Sequence, residues 1–382
     1  MVAPIDITFL GTGSAQPSHT RNHQSMAFRA DGEIWLFDAG EATQHQLQKS
    51  NLKMGRITKV FITHMHGDHC FGLPPLLCTM TENLNPNRAH EGVVDVYGPR
   101  PLRQWLRVAL RSTYSRLGRH YRVHELIMEG EVADENQEDR HPDEEPGTNI
   151  HVKDNTFDLP IDDKEGWTVR AAPIQHSIPS LGYVIQEPSQ PGKLDHATIV
   201  PKIQRNAQAL LEKGYKSPMA VLGKLQRTQV DITLPDGEVL TPPARRPGRQ
   251  IVILGDTCDA SSMLPLCNSP HLLVHEATNA LTQLDRIPTS SSQPEITLKD
   301  VEDRARSHGH STPQMAADLA KRMGAQKLIM THFSARYKGD DSDEESVAIM
   351  EEIRQHALDV LGKERDKDVF CARDLWFYEI KY

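Results

Sequence analysis

Between Thr63 and His69 the chain reads Thr63-His64-Met65-His66-Gly67-Asp68-His69, directly after the apolar, strand-like run Lys59-Val60-Phe61-Ile62. Three imidazoles and one carboxylate within six residues make a ligand set for zinc, which binds histidine nitrogen and carboxylate oxygen. Residues two apart on an extended segment point the same way, so His64 and His66 can chelate one ion. Gly67 lets the chain turn, and Asp68 and His69 can then face a second ion.

The H-x-H-x-D-H pattern resembles the metallo-β-lactamase superfamily, whose members hold one or two metals at this loop. A two-metal site needs more ligands, and three candidates follow at the ends of apolar strands. His176 closes Ala172-Pro173-Ile174-Gln175, Asp256 follows Ile251-Val252-Ile253-Leu254-Gly255, and His332 follows Leu328-Ile329-Met330-Thr331. We assign His64, His66 and His176 to the first ion and Asp68, His69 and His332 to the second, with Asp256 bridging. Asp38, before Ala39-Gly40, is placed to orient a ligand imidazole. Zinc is the expected metal; manganese and iron remain open because geometry is not visible in sequence.

The chain has 382 residues, enough for a full core, with 38% apolar and 25% charged residues. It contains no run of 18 apolar residues, so no transmembrane helix is expected. The start, Met1-Val2-Ala3-Pro4-Ile5-Asp6, lacks a basic region followed by an apolar one, which argues against a secretory signal. Five scattered cysteines imply no disulfide framework and fit a reducing compartment. Cytosol or nucleus is the expected location.

Net charge is −9, yet its distribution is uneven. Seven arginines and no acid lie between Gly98 and Val123. Ten acids and one arginine follow between Glu125 and Glu145, and ten Lys/Arg against five acids lie between Pro191 and Gln250. Two basic stretches therefore remain available to a polyanion.

Apolar alternation predicts strands near Ile5–Leu10, Ser25–Arg29, Ile34–Asp38, Lys59–Thr63 and Val93–Tyr97. Further strands are expected at Trp167–Ala172, Gly182–Gln186, Gln250–Gly255, Leu272–His275, Lys327–Thr331 and Trp376–Glu379. Helical spacing fits Ala42–Ser50, His69–Met80, Arg100–Tyr114, Leu298–Ser307, Thr312–Met323 and Glu344–Leu361. Helices packed on a two-sheet core give an α/β protein of the αββα sandwich type, with residues 1–382 as a single domain. Residues 129–149 are acidic and poor in apolar residues, and read as a mobile loop. Residues 187–248 read as an excursion from the core: a helical piece (Ile203–Lys213), a Pro/Gly-rich turn and a hairpin at Pro235-Asp236-Gly237.

Other motifs choose a branch of the superfamily. Phe9-Leu10-Gly11-Thr12-Gly13-Ser14-Ala15-Gln16-Pro17, with Arg21-Asn22, resembles the opening of tRNase Z, the tRNA 3′-processing endoribonuclease family. So do Phe37-Asp38-Ala39-Gly40-Glu41-Ala42-Thr43-Gln44, His275-Glu276-Ala277-Thr278, His310-Ser311-Thr312 and Thr331-His332-Phe333-Ser334-Ala335-Arg336-Tyr337. Pro191-Gly192-Lys193 and Gly223-Lys224-Leu225 resemble parts of the flexible arm, or exosite, with which that family grips the tRNA elbow. The single set of motifs points to the short form. Ala39 and Ala42 stand where Cys and Gly are common, and Met219-Ala220-Val221-Leu222 replaces the usual glycine-proline lead into the arm motif.

The resemblance implies two Zn2+ ions and hydrolysis of precursor tRNA after the discriminator nucleotide, leaving a tRNA 3′-hydroxyl and a trailer 5′-phosphate. It gives Asp68 as acceptor of the attacking water's proton, His310 as donor to the leaving 3′-oxygen and Glu276 as the group that orients His310. Ser14 and Arg336 are candidate phosphate contacts, and Lys193 and Lys224 candidate RNA contacts on the arm. It further implies a homodimer in which one arm serves the other subunit's site, and no membrane partner. Two rivals are another hydrolase of the superfamily (thioesterase, lactonase or cyclic-nucleotide phosphodiesterase) and an RNA-binding scaffold with a dead site. The first would need neither the arm nor Glu276 paired with His310, and the complete ligand set argues against the second.

Overall fold

The computed structural model describes residues 4–80, 92–134, 139–161, 166–286 and 296–382. Two mixed sheets face each other. In the first, Asp6–Gly11 lies between Phe377–Glu379 and Ser25–Ala30, both antiparallel to it, and Glu33–Phe37 continues the sheet. From there Ile57–Phe61, Val94–Pro99 and Tyr121–Ile127 run parallel. In the second, the antiparallel strands Phe157–Leu159, Thr168–Ile174, Ser180–Gln186 and Gln250–Leu254 lead into the parallel Leu272–Glu276, Leu328–Thr331 and Val369–Cys371.

Strand alternation divides the apolar residues between layers. Phe9, Phe28, Trp35, Phe37, Phe61, Tyr183, Ile253 and Val274 fill the space between the sheets. On the outer face of the first sheet, Val60, Ile62 and Val96 meet Leu73, Leu76, Leu102 and Leu106 from helices. On the outer face of the second, Val252, Leu254 and Leu273 meet Ala316, Ala320, Ile349 and Ile353 from helices Pro313–Met323 and Glu344–Leu361. The result is the expected αββα sandwich. Thr312 caps one of these helices, accepting from the Met315 amide, with Pro313 in the first turn.

The single helix expected at His69–Met80 is two, Gly67–Cys70 and Leu73–Thr79. Gly72 interrupts them because it lies on the backbone of Gly40: a Cβ there would come within 1.9 Å of the Gly40 oxygen. The Gly72 amide donates to Ala39 O at 2.8 Å. Tyr121–Ile127 and Val369–Cys371 are strands that the sequence reading passed over.

The acidic segment 129–149, over the part described, carries strand pairing that its composition does not suggest. Glu144–Glu145 and Asn149–His151 both pair parallel with Tyr121–Ile127. Glu144 is buried against Arg107, with Nε 2.8 Å from Oε2 and a second guanidinium nitrogen 2.7 Å from Oε1. Arg111 pairs with Asp139 at 2.8 Å, Arg122 with Glu145 at 3.2 Å and Arg103 with Glu125 at 3.5 Å. The acids are the counter-ions of the first basic stretch, and that pairing removes the self-repulsion that would keep an isolated acidic run open.

Residues 187–248 form a small folded arm. Helices His196–Arg205, Ala207–Glu212 and Ala220–Thr228 and the hairpin Ile232–Thr233/Val239–Leu240 close over Leu194, Ile203, Leu210, Val221, Leu225, Leu234 and Leu240. The expected helix Ile203–Lys213 is split at Asn206, and the third helix occupies what reads as a Pro/Gly-rich turn. At the neck, Arg249 and Glu187 form a buried ion pair at 2.8 Å. Arg249 also donates to Ile380 O at 2.6 Å, and the Tyr382 hydroxyl donates to Glu187 at 2.9 Å.

Candidate metal centre and active site

The site collects at the strand ends of both sheets. His64, His66, Asp68 and His69 follow Ile57–Phe61; His176 follows Thr168–Ile174; Asp256 follows Gln250–Leu254; His332 follows Leu328–Thr331. One group of ligand atoms comprises His64, His66, His176 and Asp256, and a second Asp68, His69 and His332, each with its atoms within 4.8 Å of one another. This is the grouping read from the sequence. The Asp256 carboxylate faces both: Oδ2 is 3.7 Å from His64 Nε2 and Oδ1 is 3.4 Å from His69 Nε2.

The donor set fits zinc. Inward nitrogens lie 3.0 Å apart in His64–His66, 3.2 Å in His66–His176 and 3.1 Å in His69–His332. Four ligands around a tetrahedral zinc at about 2.0 Å stand roughly 3.3 Å from one another. Four outward nitrogens are engaged: His69 Nδ1 with Asp38 at 2.7 Å, His176 Nδ1 with Gly309 O at 2.7 Å, His64 Nδ1 with Thr63 Oγ1 at 3.0 Å and His332 Nδ1 with Thr278 Oγ1 at 3.0 Å. Protons held on those outward atoms leave the inward lone pairs free. Burial, helped by the neighbouring imidazoles, lowers the affinity of His64 for a proton, and burial does the same at His66 and His176. Burial opposes ionisation of Asp256, but His332, His69 and His64 hold its carboxyl well below the usual range. Asp38 and His332 have φ of 60° and 55°, so a ligand and an orienting residue both sit in the left-handed region, where strain collects at functional sites.

Beside the cluster, His310 Nδ1 lies 3.1 Å from Glu276 Oε1 and 3.7 Å from Asp256 Oδ2. Glu276 is buried and further fixed by the amides of Thr257 at 2.7 Å and Ser311 at 3.2 Å and by the Thr278 hydroxyl. Burial disfavours a charged His310, but Glu276 outweighs it and raises its pKa to about 9. His310 also forms a ligand-like group with Asp256 and His332.

Arg336 and Ser14, the two expected phosphate contacts, both have partners within the protein. Arg336 is committed to Asp285, through contacts of 2.8 and 2.6 Å, and to Ala280 O at 3.1 Å. Its fork is filled and braces the segment after Glu276. Ser14 is buried in a two-residue strand paired with Phe333–Ser334, while the neighbouring Gly13 and Ala15 amides donate to Asn22 O and Asp68 Oδ2, at 2.8 and 2.7 Å. The Ala15 amide therefore aims Asp68. Lys193 and Lys224 lie on the arm, both exposed; Lys224 Nζ reaches the Tyr215 hydroxyl at 3.3 Å. Thr63 and Thr278, inside the runs Thr63–His69 and His275–Thr278, orient His64 and His332, roles that no local sequence signal marks.

Two facing sheets with helices outside and a His/Asp cluster at their strand ends define a metallo-β-lactamase-fold protein. A Bacillus subtilis protein described as having that fold, YhfI, superposes with TM-score 0.54 at 14% identity, covering 98% of this chain and 99% of its own. A family model described as Anti-Pycsar protein Apyc1 matches residues 5–136. Human zinc phosphodiesterase ELAC protein 1 is 37% identical over 375 residues, covering 93% of this chain and 94% of the relative. Ribonuclease Z of Limosilactobacillus fermentum is 34% identical over 350 residues, covering 89% and 91%. The crystal structure of human tRNase Z, short form, matches with TM-score 0.60 at 32% identity, covering 99% of this chain and all of that one. The chain belongs to the ribonuclease Z (tRNase Z) family.

Proposed function

We propose that the protein is a zinc-dependent endoribonuclease that removes the 3′ trailer of precursor tRNA by hydrolysis after the discriminator nucleotide. The observation that carries the reading is the Glu276–His310 pair at 3.1 Å beside the ligand cluster. A leaving ribose 3′-oxygen needs a proton donor, and His310, held by Glu276, is placed to be one.

Two zinc ions, held by His64, His66, His176 and by Asp68, His69, His332 with Asp256 between, would lower the pKa of water and screen the phosphate charge. Asp68, aimed by the Ala15 amide, accepts the proton of the attacking water. His310, kept protonated on Nδ1 by Glu276, donates from its other nitrogen to the leaving 3′-oxygen. The products are a tRNA 3′-hydroxyl and a trailer 5′-phosphate.

The arm supplies affinity. Lys193, Lys213, Lys216, Lys224 and Arg227 are exposed on it, whereas the arginines of the 100–122 stretch are largely paired with acids. Cation contacts to phosphate read RNA by shape and weaken with salt. The assembly is a homodimer in which each arm serves the partner's site, and the residence is cytosolic or nuclear. Among the described residues no helix is long and apolar enough to cross a membrane.

The test is incubation of zinc-loaded protein with a precursor tRNA bearing a 3′ trailer, mapping the cut at nucleotide resolution. One chelator-sensitive cut after the discriminator is expected. No cut, with hydrolysis of a small ester or cyclic nucleotide intact, would keep the centre and overturn the substrate.

A further inference from the structure

Phe71 is 59% exposed, although it stands two residues beyond ligand His69. Its ring lies over the Gly67 backbone: a Cβ on Gly67 would come within 2.3 Å of ring Cε2. Gly67 joins His66 and Asp68, so the ring lies against the backbone of the loop that carries them. Behind it, Trp105 of helix Leu102–Ser112 stacks with ring centroids 6.4 Å apart and planes inclined by 23°. Trp105 in turn packs on the outer core of the first sheet. Phe71 belongs to none of the buried clusters. A buttressed aromatic ring held open beside a phosphate-cleaving centre suits a nucleobase, because every base has a face to stack and stacking tolerates any sequence.

We propose that Phe71, supported by Trp105, is the stacking platform for the first base of the trailer; this rests on the endoribonuclease reading above. Glu276 and Asp256 hold His310 on the side of the second sheet. The nucleotide whose 3′-oxygen leaves therefore lies towards that sheet. The nucleotide joined through the phosphate's other ester lies towards Phe71, which follows a strand of the first sheet.

The experiment compares two precursor tRNAs, one with a normal trailer and one with an abasic first trailer residue, for the wild type, Phe71→Leu and Phe71→Tyr, with zinc content measured for each. Loss of one stacked base is expected to lower wild-type kcat/KM roughly 5- to 150-fold. Phe71→Leu should be slowed by a similar factor on the normal substrate and show no further loss on the abasic one. Phe71→Tyr should keep the base preference. An equal abasic penalty in wild type and Phe71→Leu overturns the platform, as does no penalty in the wild type. Equal loss on both substrates together with dissociation of an oligomer would make the ring a protein contact and also overturn it. Failure of the wild type to cut either RNA would instead sink the parent reading.

Discussion

Asp38 Oδ2 accepts a hydrogen bond from His69 Nδ1 at 2.7 Å, and both side chains are sealed from solvent. The same carboxylate takes the Thr63 amide at 2.7 Å and the Thr63 hydroxyl at 2.9 Å. One residue thus aims a ligand ring and pins the start of the ligand loop. Asp38→Ala should weaken zinc binding roughly 10- to 100-fold, the usual effect of removing a group that orients a ligand. Competition against a chromophoric chelator measures it. Unchanged affinity would mean that packing alone orients His69.

His310→Ala should lower kcat on precursor tRNA by roughly 10²- to 10⁴-fold, the range for a positioned proton donor, while zinc content stays at the wild-type level. Glu276→Gln should move kcat in the same direction by removing the charge that favours protonated His310. Metal analysis decides the rival assignment: loss of zinc from His310→Ala would make this imidazole a ligand alongside Asp256 and His332.

Removing Lys193–Leu240 should abolish precursor binding and spare hydrolysis of bis(p-nitrophenyl) phosphate. The excision is geometrically mild, since the Gly192 Cβ position is already within 2.3 Å of Ala244 O. In the intact protein, log affinity should fall linearly with log salt, and the deletion should remove most of that slope. Filter binding across a salt series and a chromogenic assay give the two numbers. Parallel loss of both activities would end the division between arm and core.

Asp374 gives a pH prediction away from the metal ligands. Its carboxyl accepts from Thr12 Oγ1 at 2.7 Å and from the Asn22 amide at 2.7 Å, yet burial outweighs these and raises its pKa to about 6. A raised folded-state pKa means the native protein binds the extra proton. Its contribution to stability is complete below pH ~3.8 and is lost as pH rises through about 6. The difference is on the order of 3 kcal/mol. Asp374→Asn should remove that component, so the wild-type-minus-variant stability should fall between pH 4 and pH 7 in denaturant titrations. A flat difference would refute the assignment.

The ligand loop was legible because its residues are contiguous and the strand period fixes their directions. His176, Asp256 and His332 were legible because each ends an apolar strand. What escaped depended on distant partners. Nothing near Arg336 in sequence reveals that Asp285, 51 residues away, fills its guanidinium fork. The arginines between Gly98 and Val123 read as available to a polyanion because Glu144, which neutralises Arg107, lies 37 residues further on. The break in the first ligand helix at Gly72 required knowing that Gly40 would lie against it. The third arm helix, Ala220–Thr228, is masked in sequence by Pro218 just before it and Gly223 inside it.

The arm encloses its own cluster of eight buried apolar residues and leaves the body through two adjacent segments, bridged between Gln190 and Arg246 and clamped by Glu187–Arg249. A unit attached in this way is interchangeable in principle. If the arm holds the RNA as proposed, grafting a different small domain between Gln190 and Arg246 should redirect the same hydrolytic centre to another polymer. On that reading, what such an enzyme grasps and what it cleaves can change on separate schedules.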